Sequence, residues 1–482
     1  MKIFSTCLVA ITFLIANISA QVPCVNGMAG NYPCSGYDLQ SNMTLEFMGV
    51  EGQGNDIWGW TDPLDGREYA LYGARNRATF IDISAPCNPI FVGYMETQTD
   101  PSTWRDIKVY NNYAFIVSEA NNHGMQVFDL TKLRNVENMP MEFEPDAFID
   151  DMGAAHNIVI NEESGYAYAV GADTFDGGPS FIDISDPLNP VTVGGYDGDG
   201  YTHDAQVVMY SGPDVEHQGK EIFFGFNADA LTIVDVTDKT DPIQLSRTQY
   251  GSTGYTHQGW LDEGQTLIYL GDETDEGSFG FNTRTVIFDV SNLDMPAFLE
   301  DHFGETTATD HNMYVKDDLI YQANYTSGLR VLQINDDPNN RLEEVGYFDV
   351  FPAHNEAGYS GTWSVYPYFE SGNIIINSRD EGLFVVNPST EESCVVIGVD
   401  EIANATFGLS PNPVVSELTI SLYNGLTLNK INIVDVSGRI VTEISNISAN
   451  GSLFTIPVSN LKPGIYFLNV NDSGAGERFI VE

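Results

Sequence analysis

Four histidines stand at one point of four successive, otherwise diverged segments: "AAHNIVI" (His156), "YTHDAQV" (His203), "YTHQGWL" (His257) and "TDHNMYV" (His311). They lie 47, 54 and 54 residues apart. Each is followed at once by a strand-like apolar run, so each opens the same strand of a repeated unit. Neutral imidazole is a ligand for Zn, Cu, Fe and Ni, and four converging rings would form a first coordination shell. The expected cofactor is a transition metal, Fe, Zn or Cu. The same slot in the other units falls on Asp56 ("NDIWGW"), Arg105 ("TWRDIKV") and Ser364 ("TWSVYPY"). A metal would then sit off-centre, with substrate or water on the side of those three. Trp104 and Trp363 precede the slot and could stack on a ligand. Glu119, Asn227, Asp272, Glu273, Asn324, Arg379 and Asp380 fall in loops expected at the same end, where carboxylates can fix imidazole tautomers. Polar ligand binding without metal, and hydrogen bonding between loops, remain the alternatives for these histidines. His123, His217, His302 and His354 fall outside the register.

The element that must hold such a ring is a repeat. "ATFIDISAPCNPIFVG" from Ala78, "PSFIDISDPLNPVTVG" from Pro179, "LTIVDVTDKTDPIQL" from Leu231 and "TVIFDVSNLDMPAFL" from Thr285 share one grammar. An apolar run ends in Asp, then an apolar residue, Ser or Thr, a turn with Pro, and a second run. Weaker copies start at Gly124, Gly328 and Gly382. Asp82, Asp129, Asp183, Asp235 and Asp289 recur before Ser or Thr, which predicts side-chain-to-backbone turns rather than chemistry. Two further strand-like runs precede each copy, so a unit holds four short strands. The expected fold class is all-β, a seven-bladed β-propeller closed by an N-terminal strand over residues 43–50. "DGDG" (197–200) and "GDETDEG" (271–277) are weak candidates for Ca²⁺, lacking EF-hand spacing. No GxSxG elbow, HExxH or Walker loop occurs, so no catalytic residue is assigned and enzymatic activity is undecided.

Lys and Arg total 20 against 68 Asp and Glu, a formal charge of −48 over 482 residues. Such a surface repels phosphate backbones, which argues against nucleic acid as a partner. Residues 1–20 read as a secretory signal peptide, and no later run is apolar enough to span a membrane. Export makes disulfides the expected state of cysteine. "CVNGMAGNYPC" predicts a Cys24–Cys34 bridge, leaving Cys87 to pair with Cys394 across the ends of the repeat array.

Past residue 395 the repeat stops. "SPNP", "DVSGR", "LKPGIYFL" and the final "RFIVE" closely resemble the C-terminal sorting domain of the type IX secretion system. The resemblance implies a small C-terminal β-sandwich over 408–482 after a linker (396–407), the type IX machinery as partner, and the cell surface or exterior as destination. Residues 21–395, through "GNDIWGWTDPLDGREYALYG", "YTHDAQ", "LTIVDVTDKTDPIQLSRT" and "DHNMYVK", resemble the choice-of-anchor B family, whose units are LVIVD repeats. That resemblance implies an exported propeller and supplies no activity. Two functions remain expected: metal-dependent action on an unknown extracellular ligand, or a non-catalytic binding or adhesion module using the same face.

Overall fold

A computed structural model describes residues 21–389, 407–410, 414–422, 428–435, 439–449, 453–471 and 476–481. The expected leader (1–20), most of the expected linker and Cys394 lie outside these residues, and with Cys394 the expected second disulfide. The chain divides into two compact units, Met1–Cys394 and Val395–Glu482.

Among the described residues of the first unit, strands group into seven sheets in chain order, each built on four antiparallel strands. Their first strands are Gly54–Thr61, Arg105–Tyr110, Asn157–Asn161, Asp204–Met209, Thr256–Leu261, Asn312–Lys316 and Thr362–Tyr366. Sheets one to seven are named in that order below. Each first strand packs on the next, and that of sheet seven packs on that of sheet one. The apolar cores lie between consecutive sheets. Trp60, Leu71, Phe80, Ile107, Ile116 and Phe128 join sheets one and two. Ile57, Tyr72, Ile375 and Val385 join sheets seven and one.

The repeated grammar has a local cause. Asp82, Asp129, Asp183, Asp235 and Asp289 each accept, through Oδ1, the backbone N–H two residues on, at 2.8–3.1 Å. The turn ends the third strand and aims the fourth. One to two residues before that Asp, sheets one, three, four and five each carry a break in register between the third and fourth strands. Bulges there increase twist, which lets side-by-side sheets splay outward.

The fourth strand of sheet seven comes from the N-terminal segment, as expected, but over Tyr37–Met43 rather than 43–50. Tyr37 pairs with Pro388 and Met43 with Leu383. Residues 44–50 instead turn back, with Met48 N–H bonded to the Thr44 carbonyl and Gly49 at φ 64°. The apolar pattern that mimicked a strand there buries Met48 in the core between sheets seven and one. A disulfide joins Cys24 to Cys34 and ties the hairpin of Met28–Ala29 and Tyr32–Ser35, which adds to the outer edge of sheet six.

In the second unit, Phe407–Ser410, Glu417–Leu422 and Leu453–Pro457 form one sheet. Ile440–Ala449, Leu428–Asp435, Gly464–Val470 and Gly476–Val481 form another. Leu418 and Ile420 of the first meet Ile431, Leu468 and Phe479 of the second in a shared core, the arrangement of a small sandwich.

Candidate metal centre

The four histidines meet at the start of the first strands of sheets three to six. Their rings follow one another at centroid distances of 4.2 Å (156 to 203), 3.9 Å (203 to 257) and 4.4 Å (257 to 311). Two local devices put them there. His156, His203 and His311 stand one residue before their strands. His257 lies within its strand, at a register shift where Thr256 pairs with Asp272 and Gln258 with Gly271.

The hydrogen bonds of the rings fix their chemistry. His203 Nδ1 faces the His257 carbonyl at 2.9 Å, His257 Nδ1 the His311 carbonyl at 3.0 Å, and His311 Nδ1 the Trp363 carbonyl at 2.5 Å. A carbonyl only accepts, so each Nδ1 carries the proton and each Nε2 keeps its lone pair. His156 Nδ1 is held by Glu119 Oε1 at 2.6 Å. Carbonyl or carboxylate contacts to the second nitrogen are the usual support of metal-bound histidine. Burial, reinforced by neighbouring imidazoles, pushes His203 and His311 well below the ordinary histidine value, and burial likewise lowers His257. All three are therefore neutral, as ligation requires.

The rings open into a cavity of about 390 Å³, lined also by Trp104, Glu273, Tyr325, Tyr359, Trp363 and Arg379. Glu273 Oε2 lies 3.7 Å from His257 Nε2, while its Oε1 accepts from the Tyr325 hydroxyl at 2.8 Å. Ligand atoms of His257, Glu273 and His311 lie within 4.8 Å of one another. Two imidazoles and one carboxylate with open neighbouring positions suit a divalent transition ion. Arg379 packs over the Trp363 ring at 5.1 Å and brings one positive charge to the rim.

The Tyr-Thr-His repeats thus divide their labour. The histidines line the cavity, and Thr202 and Thr256 are buried. Tyr255 meets the His203 ring edge-on at 5.4 Å.

Several residues expected in the ring are elsewhere. Arg105 is paired inside its strand with Ser118, so its side chain turns between sheets one and two. Its guanidinium meets the Ala74 carbonyl (3.1 Å), Thr97 Oγ1 (2.6 Å) and His123 Nε2 (3.1 Å). Asp56 falls at a register shift between Gly54 and Ile57 and lies away from the cavity, 3.6 Å from the Lys108 ammonium. In sheet seven the shift between Thr362 and Ser364 gives the slot to Trp363, leaving Ser364 bonded to Asn312 and Tyr314. Asp272 takes the N–H groups of Gly254 and Tyr255 and the Tyr250 hydroxyl, so it builds the loop instead of touching a ligand. Asn227, Asn324 and Asp380 are likewise engaged within the protein: with Asp199, with Gln322, and with Gln53 and Gly361. Of the residues that reading overlooked, Tyr325 adjoins Asn324 and Tyr359 has no repeated counterpart. Carbonyl acceptors leave no mark in a sequence.

His123 belongs to a different device. Its Nδ1 donates to the Gly124 carbonyl at 3.0 Å, so Nε2 must accept from Arg105 and the ring must be neutral. Burial, then the Arg105 charge, lower it from 6.5 to about 4. As pH falls below 6.5 the unfolded chain takes up the proton first. Stability present above that value is therefore lost down to about 4, roughly 3 kcal/mol in all. The His123→Gln chain is expected to lose its urea midpoint less steeply across that window than the native chain.

Residues 69–97, 103–127 and 152–198 match the LVIVD repeat, and residues 409–482 match the secretion system C-terminal sorting domain. The first unit therefore carries LVIVD repeats and the second a type IX sorting tail. The matched repeats fall on sheets one, two and three, so they include His156 and stop short of His203, His257 and His311. No curated protein matches the chain at a significant level. The tail directs export through the type IX system to the cell surface or extracellular space. Among the described residues, no helix is long and apolar enough to cross a membrane.

Proposed function

We propose that the protein is an exported seven-bladed β-propeller, closed by its N-terminal strand, that binds a transition metal at one mouth of its channel. Residues 1–20 are read as the leader, 21–395 as the propeller, 396–407 as the linker and 408–482 as the sorting domain. The circular order in which first strands pack supports the closed ring. The ligands are His156, His203, His257 and His311, with Glu273 as the carboxylate that the histidine register alone did not single out. The observation that carries this reading is the set of Nδ1 contacts to carbonyls. They leave three neutral Nε2 lone pairs at one cavity beside Glu273. A bound ion there would polarise an oxygen of a ligand held by Trp104, Trp363, Tyr359 and Arg379.

The test is elemental analysis of untagged, secreted protein before and after dialysis against a chelator. Near one Fe, Zn or Cu per chain, removed by the chelator and restored by one of these ions, is the expected result. Absence of metal even after incubation with all three would sink the reading. The second reading, a non-catalytic binding or adhesion module at the same mouth, is favoured by the exposure of Trp104 (44%) and Tyr359 (51%) at its rim. It requires a ligand that still binds after the metal is stripped.

A further inference from the structure

Beside the histidine cavity lies a second cluster of opposite character. Asp275 and Glu276 open a short helix after the second strand of sheet five, and Asp310 comes from the segment leading into sheet six. All three are buried, at 0%, 4% and 2% exposure, and their carboxylate oxygens lie within 4.8 Å of one another. The neighbouring positive group is Arg284. It lies 2.6 Å from Asp275, 3.5 Å from Asp272 and 3.7 Å from Asp301, so its one charge is already shared. Asp272 is satisfied by backbone N–H groups. Glu276 and Asp310 have no such counter-charge. Both oxygens of Asp310, Oε2 of Glu276 and Oδ1 of Asp275 are buried without a hydrogen-bond donor. Asp310 comes from a separate segment, and the backbone makes room for it: a Cβ on Gly271 would lie 1.9 Å from its Oδ2.

Unpaired buried carboxylates are too costly to keep unless a proton or a cation neutralises them. We infer that Asp275, Glu276 and Asp310 hold a hard divalent cation, Ca²⁺, in a site separate from the histidines. The donors are all oxygen, which excludes the preferences of the histidine centre. The three carboxylates are buried, which disfavours Mg²⁺, an ion that keeps its waters. An exported protein meets Ca²⁺ at concentrations that fill even weak extracellular sites. The stretch Asp272–Glu276 also delivers Glu273 to the histidine cavity, so one loop serves both sites.

The test is equilibrium dialysis of the full mature chain, stripped by chelator, against radioactive Ca²⁺ in high salt to screen the acidic surface. The native chain should bind one Ca²⁺ that Asp310→Asn and Glu276→Gln each weaken by roughly tenfold or more, since affinity follows ligand charge. The His203→Ala/His257→Ala chain should bind it as the native chain does, which separates this site from the proposed transition-metal centre. Thermal melts guard against misfolding. In chelator both carboxylate variants should melt at or above the native temperature, because a buried charge has been removed. In Ca²⁺ the native chain alone should rise. Equal Ca²⁺ binding by native chain and both variants, or no Ca²⁺-dependent rise, overturns the inference and assigns Glu276 and Asp310 a shared proton.

Discussion

The His203→Ala/His257→Ala chain is expected to leave the cell folded and to purify with only background transition metal. The two central rings of the series are removed, and with them two of the three Nε2 lone pairs whose tautomer the carbonyl contacts fix. What remains is His156 and His311, once separated by the two missing rings, and Glu273. Losing even a supporting contact to a ligand costs about 10–100-fold in metal affinity, so losing two ligands should cost at least that. The fold should survive. Each Ala forfeits one hydrogen bond to a carbonyl, about 1–3 kcal/mol at the upper end, and water can enter from the cavity. A His354→Ala chain, altered at an exposed histidine outside the cavity, should keep its metal. Metal content is read by elemental analysis and folding by far-ultraviolet circular dichroism. Metal that persists in the double variant would place its ligands elsewhere.

The second large effect concerns stability. Lys108→Met is expected to destabilise the first unit by about 3–5 kcal/mol, the usual cost of removing one partner from a buried charge cluster. The Lys108 ammonium lies 2.5 Å from Asp106, 3.6 Å from Asp56 and 4.6 Å from the centre of the Trp58 ring. Burial opposes its charge, yet Asp106, Asp56 and Asp204 hold it well above the ordinary lysine value. Burial drives Asp56 well above the carboxylate range and Asp204 to about 7, even with Lys108 present. Asp106 also accepts the N–H of Ile107 and of Ile158, which ties sheet two to sheet three. Without Lys108 these acids would titrate higher in the folded than in the unfolded chain. The unfolded chain would then ionise first, so the deficit should grow as pH rises above the carboxylate range and shrink in acid. Urea unfolding of the variant at pH 6 and pH 8 reads this directly. A smaller deficit at pH 8 would show that the acids do not face one another across Lys108. Adding Asp204→Asn should restore part of the loss at pH 8.

The sequence alone determined the repeating unit, the all-β class, the Asp turns, the Cys24–Cys34 bridge and the convergence of four histidines. Each depends on short-range pattern: strand alternation, an Asx turn two residues long, or a spacing repeated near fifty residues, which chain chemistry writes into the letters themselves. The sorting tail was legible for the same reason, since its turns carry their own residues. Tertiary structure decided what a one-residue displacement can change. A register shift at Gly54–Ile57 takes Asp56 out of the ring, while similar shifts bring His257 and Trp363 into it. Pairing that begins at Arg105 turns that side chain toward His123. Asp272 and Glu273 are adjacent acids in the sequence, yet one closes a loop and the other faces the histidines. Where a side chain points depends on which partner strand claims its backbone, and a carbonyl that fixes a tautomer belongs to a residue about fifty positions away. Neither fact is local, so only the packed sheets could supply it.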